Sequence, residues 1–212
     1  MTTNDTVKKN SPLKKLLFAC GLTFLILATV LVIAINPILK TTMPLDYQRL
    51  VQKYAKEYNL DEALVFAVIK TESSFNPNAV SGADARGLMQ ITPDTFEWLQ
   101  TKTGERHELQ KLFDPETCIR YGTFFLSILI NEFKNVDTAL AAYNAGRTRV
   151  NTWLQDDTLT DDGVTLKYIP FPETRYYVKK INTALEWYRK LYDFTIAETE
   201  LYSAKTTVSA EK

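Results

Sequence analysis

Thr71-Glu72-Ser73-Ser74-Phe75-Asn76-Pro77-Asn78-Ala79-Val80, followed shortly by Gly87-Leu88-Met89-Gln90-Ile91, is the stretch on which the fold turns. Ahead of it, Asp61 to Lys70 reads as a helix. Asp61 is a good N-cap residue, Glu62 adds negative charge to the first turn, and Leu64, Val65, Val68 and Ile69 recur at helical spacing. Glu72 lies four residues after Val68 and three after Ile69, so it continues the apolar face, and Asn76-Pro77 is expected to stop the helix. A carboxyl group placed there has little water and faces the negative end of the helix dipole. Both effects disfavour the charged form and raise the pKa, as a general acid working near neutral pH requires. The plain alternative is a solvated glutamate at a helix end, because glutamate is rarely buried.

Two later segments shift that balance: Ala142-Tyr143-Asn144-Ala145-Gly146, and Glu173-Thr174-Arg175 leading into Tyr177-Val178. Taken in order with Glu72-Ser73, Phe75-Asn76-Pro77 and Gly87-Leu88-Met89-Gln90, they resemble the signature of the soluble lytic transglycosylase (SLT) domain family, lysozyme-like enzymes that cut peptidoglycan. The resemblance implies an all-α, mostly helical fold of the goose-type-lysozyme kind, within the α+β lysozyme-like superfamily. It implies Glu72 as catalytic acid and base, with Ser73, Met89, Gln90, Tyr143, Asn144 and Tyr177 as substrate-binding residues and neither cofactor nor metal. The implied reaction cleaves the β-1,4 bond between N-acetylmuramic acid and N-acetylglucosamine and leaves a 1,6-anhydromuramyl end. The substrate's own N-acetyl group supports the charge at C1, so one carboxyl suffices where most glycosidases need two.

Each of these residues also has a bland reading. Ser73 can hydrogen-bond the substrate or the acid, or cap its own helix end. Gln90 offers donors and acceptors to sugars. Met89 suits a flexible gap-filler in the core. Gly87 lets the chain approach a sugar or simply turns it. Tyr143 and Tyr177 can aim their hydroxyls at the acid or merely pack, and Tyr176 is the rival to Tyr177 but lies off the apolar stripe of its helix. The family usually has glycine where this chain has Asp84. If that position needs positive φ, aspartate tolerates it better than most residues. Asp84 is also a candidate second carboxylate, and with Asp94 it keeps open a lysozyme-type hydrolase on the same fold. A catalytically weak wall-binding or assembly module is a further alternative.

The 212 residues suit one domain with appendages, large enough to bury a core unaided. Lys plus Arg equals Asp plus Glu, so the formal net charge is zero, which argues against a strongly basic nucleic-acid binder. Cys20 and Cys118 fall in an apolar run and a predicted helix, so no disulfide framework is expected. Residues 1–15 carry Lys8, Lys9, Lys14 and Lys15 and are expected to be cytoplasmic. Leu16 to Leu39 contains no charged residue and is long enough for a transmembrane signal-anchor helix, which needs about 20 residues. A cleaved signal peptide is the alternative, though its apolar region is usually only about 7–15 residues. A linker at 40–46 would then lead to a catalytic domain at 47–194 on the extracytoplasmic face, and a polar tail at 195–212 is expected to be disordered. The expected partners are the membrane, through residues 16–39, and peptidoglycan glycan strands.

Further helices are expected from Leu45 to Tyr58, from Thr92-Pro93 through Leu99, and from Asp114-Pro115 through Phe133 as the central core helix. Asp137 is expected to cap Thr138–Tyr143, with Gly146 beyond its end. Short and long helices should follow at Thr148–Leu154 and Thr174–Tyr192. Residues 101–111 and 155–173 read as loops. His107, the only histidine, is expected to be solvated, with no partners for a metal site.

Overall fold

The computed structural model describes residues 12–192 and 194, apart from the side chains of residues 12–14 and 32–36. The expected disordered tail and most of the expected cytoplasmic segment lie outside the described residues. The chain divides into two compact units between Pro44 and Leu45.

The first unit contains one helix, α1, Pro12–Thr42, with Pro37 inside it. Most of its described apolar side chains face outward, Phe18 and Phe24 being three-quarters exposed. Among the described residues no helix is long and apolar enough to cross a membrane. The membrane-span expectation for 16–39 falls partly on residues 32–36, whose side chains lie outside the described set.

The second unit is all helical, with only isolated β-bridges among the described residues. Its helices are α2 (Gln48–Glu57), α3 (Glu62–Ser73), α4 (Pro93–Thr103), α5 (Pro115–Phe133), α6 (Val136–Ala145), α7 (Arg147–Trp153) and α8 (Pro172–Leu191). A short 3-10 helix, Leu109–Phe113, precedes α5. Three predicted caps act as expected. Asp61 accepts from the Ala63 amide, Thr92 from Thr95 and Asp114 from Thr117, each worth about 1 kcal/mol of helix stability.

Several expectations need correction. Asn135, not Asp137, caps α6 by accepting from the Thr138 amide; Asp137 sits in the first turn and receives Asn182 instead. α4 runs four residues past Leu99, until Gly104 adopts φ 74°. The expected loop at 101–111 therefore shrinks and includes the 3-10 helix. The most enclosed helix is α3 rather than α5: Ala63 through Ile69 are all buried, whereas α5 alternates buried and half-buried positions. Helix α3 packs chiefly on α8 and also on α2, and α5 packs on α2 and α6. This puts the end of α3 in the middle of the domain, where α6, α8 and the 74–91 loop meet it.

Candidate active site

Helix α3 ends sooner than Asn76-Pro77 would require. Ser74 and Phe75 take left-handed conformations in succession, with φ 50° and 65°, and the Ser74 amide closes on the Lys70 carbonyl. Phe75 is buried against Phe66, so tertiary packing holds a backbone conformation that a large side chain normally avoids. Glu72 is thereby left on the last turn of a buried helix.

Glu72 as a whole is half-buried, but its carboxyl group is enclosed by protein. Tyr177, from α8, donates its hydroxyl to Glu72 Oε1 at 2.5 Å. Burial pushes the Glu72 pKa up from 4.5 to about 7; the Tyr177 hydrogen bond and the Lys180 charge pull it back only in part. The phenols of Tyr143 and Tyr177 are both held well above their ordinary pKa, first by burial and then by the neighbouring Glu72 carboxylate. Both therefore act as hydrogen-bond donors throughout the physiological range. Tyr176 points away and is two-thirds exposed.

The remaining candidates build the wall that faces the acid. Tyr143 donates to the Met89 carbonyl at 2.8 Å, not to Glu72, and its ring packs on Phe125. Ser73 donates to the Leu88 carbonyl at 2.8 Å and more weakly to Ile69, so it ties the end of α3 to the 74–91 loop. The Met89 side chain is wholly buried and fills the space left by Gly122, where a Cβ would lie 2.5 Å from its sulfur. The Gln90 carboxamide nitrogen donates to the carbonyls of Ala79 and Gly87, bracing the loop from within while Gln90 itself takes φ 49°. Asn144 is exposed and accepts from Thr174 at 2.8 Å, which joins the end of α6 to the first turns of α8. The structure thus brings Glu72 and Tyr177 into contact, while Ser73, Met89, Gln90 and Tyr143 hold the backbone around them.

Gly87 serves the protein rather than opening space for a ligand. At φ 76°, an added Cβ would lie 2.0 Å from the Leu112 carbonyl oxygen and 2.8 Å from Cys118 Sγ. Cys118, expected only to lie in a helix and outside any disulfide, belongs to this wall. Its buried thiol receives the Met89 amide at 3.3 Å, and burial raises its pKa to about 12, so it stays a neutral packing thiol. Its position four residues before Gly122 on one face of α5 is the only local signal of that role. Asp84 does adopt positive φ, 57°. Both its carboxylate oxygens are engaged by Arg86, at 3.0 and 3.1 Å. His107 is exposed, as expected, and its ring lies 3.1 Å from Glu105. Among the described residues no cluster is arranged to hold a metal.

Comparison with known proteins gives this geometry a family. The model of the transglycosylase SLT domain matches residues 49–163, so it takes in Glu72, the 74–91 loop and α6 and stops short of α8. The soluble lytic murein transglycosylase of Salmonella typhimurium is 36% identical over 71% of this chain and 24% of its own length. The membrane-bound lytic murein transglycosylase C of Serratia proteamaculans is 35% identical over 68% of this chain and 47% of its own length. A Pseudomonas aeruginosa lytic transglycosylase, solved as an inactive glutamate-to-glutamine mutant, superposes with a TM-score of 0.62 at 31% identity, covering 74% of this chain and 27% of that one. The chain thus spans between a quarter and a half of these relatives. With a lysozyme-like helical fold around an enclosed glutamate, the chain belongs to the transglycosylase SLT domain family.

Proposed function

We propose that this chain is a membrane-anchored lytic transglycosylase that cuts the β-1,4 bond between N-acetylmuramic acid and N-acetylglucosamine in peptidoglycan. The observation that carries the reading is the state of Glu72: enclosed, poised near pH 7 and held by a tyrosine hydroxyl. The relatives act on murein by their names, and the Pseudomonas aeruginosa relative is inactive as a glutamate-to-glutamine mutant, which supports a single essential glutamate.

In the first step neutral Glu72 donates its proton to the bridging oxygen as the bond to C1 breaks. The substrate's N-acetyl carbonyl oxygen bonds to C1 and carries the positive charge. In the second step the Glu72 carboxylate takes the proton of the muramyl 6-hydroxyl, whose oxygen displaces the N-acetyl oxygen at C1. Glu72 returns to its starting state, no water is consumed, and the product ends in a 1,6-anhydro ring. One group must serve as acid and then as base, so a pKa close to the working pH suits both halves. The Tyr177 hydrogen bond stabilises the carboxylate between the steps, while burial raises the share of neutral Glu72 near pH 7. The pairing of Asp84 with Arg86 favours this scheme over a hydrolase that uses Asp84 to position water.

Glu72→Gln is expected to lower turnover of purified sacculi by a factor of about 10² or more while glycan binding persists. Near-normal turnover in that variant contradicts the assignment. The raised pKa also sets a stability prediction. The folded state resists ionising Glu72, so the penalty begins above pH 4.5 and is complete once pH passes about 7. Glu72→Gln should therefore stabilise the domain by up to about 3 kcal/mol in mild alkali and by nothing in acid, measured by thermal unfolding.

The anchor is proposed from the 24-residue uncharged run between Leu16 and Leu39 and the lysines before it, with the N-terminus cytoplasmic and residues 47–194 outside. Full-length protein should resist carbonate extraction from membranes, and protease outside spheroplasts should remove the domain. Soluble mature protein beginning near Ile35 would instead mean cleavage.

A further inference from the structure

Helices α3 and α8 run antiparallel. Tyr177 near the start of α8 meets Glu72 at the end of α3, and Arg189 near the end of α8 pairs with Asp61 just ahead of α3. Tyr177, Val178, Ile181, Ala184, Leu185 and Tyr188 are buried and mark the face that α8 turns to the core. At about 100° per residue, Lys180 lies about 60° around the helix from Tyr177 and about 40° from Ala184, on the border of that face. It stands about 4.5 Å along the axis from Tyr177, one turn beyond the residue whose hydroxyl touches the acid. Lys180 is exposed, so its ammonium group keeps its water.

The other titratable groups that face the Glu72 carboxyl are neutral near pH 7. Tyr177 of α8 and Tyr143 of α6 are phenols held well above their ordinary pKa, and burial pushes the Cys118 thiol of α5 up to about 12. Lys180 is the side chain that brings a full charge to bear on the carboxyl among the described residues. Lys70 on α3 lies two residues from Glu72, and Arg175 and Lys179 on α8 lie two residues from Tyr177, so all three point to other faces. From the 74–91 loop, Asp84 and Arg86 engage each other. Lys53, Lys111, Lys167 and Lys190 each have a carboxylate partner, whereas Lys180 has none among the described residues. Its charge is therefore available to the acid.

We propose that Lys180 is a positioning residue for the reaction, whose ammonium charge supports the Glu72 carboxylate between the two steps and so helps set the pH at which one carboxyl can act as acid and then as base. This deepens, and rests on, the reading of Glu72 as the single acid and base. Tyr177 offers the carboxylate a hydrogen bond, which acts at contact range and is insensitive to salt. Lys180 offers a charge from the wetted border of α8, which salt screens. The two supports therefore separate in experiment.

The test follows the Glu72 carboxyl by NMR in full-length protein with isotope-labelled glutamate side chains, the signal missing from Glu72→Gln identifying it. In Lys180→Gln its titration midpoint should rise by about half a pH unit, a roughly threefold change in the ionisation equilibrium, and in Lys180→Glu by about twice as much. Lys180→Arg should keep the midpoint. At about 1 M salt, where the screening length is about 3 Å, the rise in Lys180→Gln should vanish while that in Tyr177→Phe persists. The alkaline limb of the kcat/KM profile should follow the midpoint in each variant, with affinity for glycan strands unchanged. An unmoved midpoint in Lys180→Gln overturns the proposal. So does a rise that survives salt or is equally large in Lys180→Arg, or a loss of strand affinity with the midpoint in place. Failure of the transglycosylase reading appears separately, as absent anhydro product from an unaltered chain whose Glu72 midpoint still answers to Lys180.

Discussion

The last turn of α3 and the segment Gly87 to Ile91 both carry motif residues, but they use them in opposite ways. At the helix end the side chain is the point: Glu72 is enclosed, poised near pH 7 and met by Tyr177. In Gly87–Ile91 the side chains turn inward and the backbone is the point. Gly87 fits under the Leu112 carbonyl, Met89 fills the space beside Gly122, Gln90 ties two loop carbonyls, and the Leu88 and Met89 carbonyls receive Ser73 and Tyr143. A motif written as one string therefore mixes a reacting group with the template that shapes the cleft around it.

Gly87→Ala strikes the template and should have the largest effect. The new methyl would meet backbone rather than a yielding side chain, at a φ that alanine resists. We expect a loss of several kcal/mol and little folded protein, seen as a collapsed thermal transition. A stable, active Gly87→Ala protein would show that the loop can move away from Leu112 and that the two regions are less distinct than described.

Tyr177→Phe strikes the chemistry and leaves the ring in place. It removes a hydrogen bond that favours the carboxylate, so the Glu72 pKa should rise above about 7. Resting activity needs neutral Glu72, so the alkaline limb of the kcat/KM profile should move upward, while kcat falls because the carboxylate between the steps loses support. Tyr176→Phe is the control, and its exposed side chain should leave the profile in place. An unchanged profile in Tyr177→Phe would reduce the 2.5 Å contact to packing.

What the sequence disclosed divides along the same line. Asp61, Thr92 and Asp114 announce their helices because capping is settled within three residues. Glu72 and Tyr177 were legible because both lie on apolar stripes of helices that pack together. The end of α3 was not, because Phe75 keeps its left-handed conformation while buried against Phe66, nine residues back on that helix, and no local preference signals that. Asp137 looked like a cap, but Asn135 two residues earlier had the same chemistry and a better register. The hydroxyl of Tyr143 was equally ambiguous: its ring belongs beside the acid, yet its nearest acceptor is a carbonyl supplied by a loop 54 residues away. Gln90 offered the same donors to a sugar or to a carbonyl, and only the fold shows which carbonyls stand within reach.

The most direct test of one carboxyl acting as acid and then base is mass spectrometry of the products released from purified sacculi by the unaltered chain. A single carboxyl acting in both steps yields muropeptides ending in 1,6-anhydromuramic acid, each lighter by one water than its hydrolysed counterpart, with no oxygen incorporated from labelled water. Reducing ends carrying the solvent label would contradict it, because they require a water held and activated by a second group.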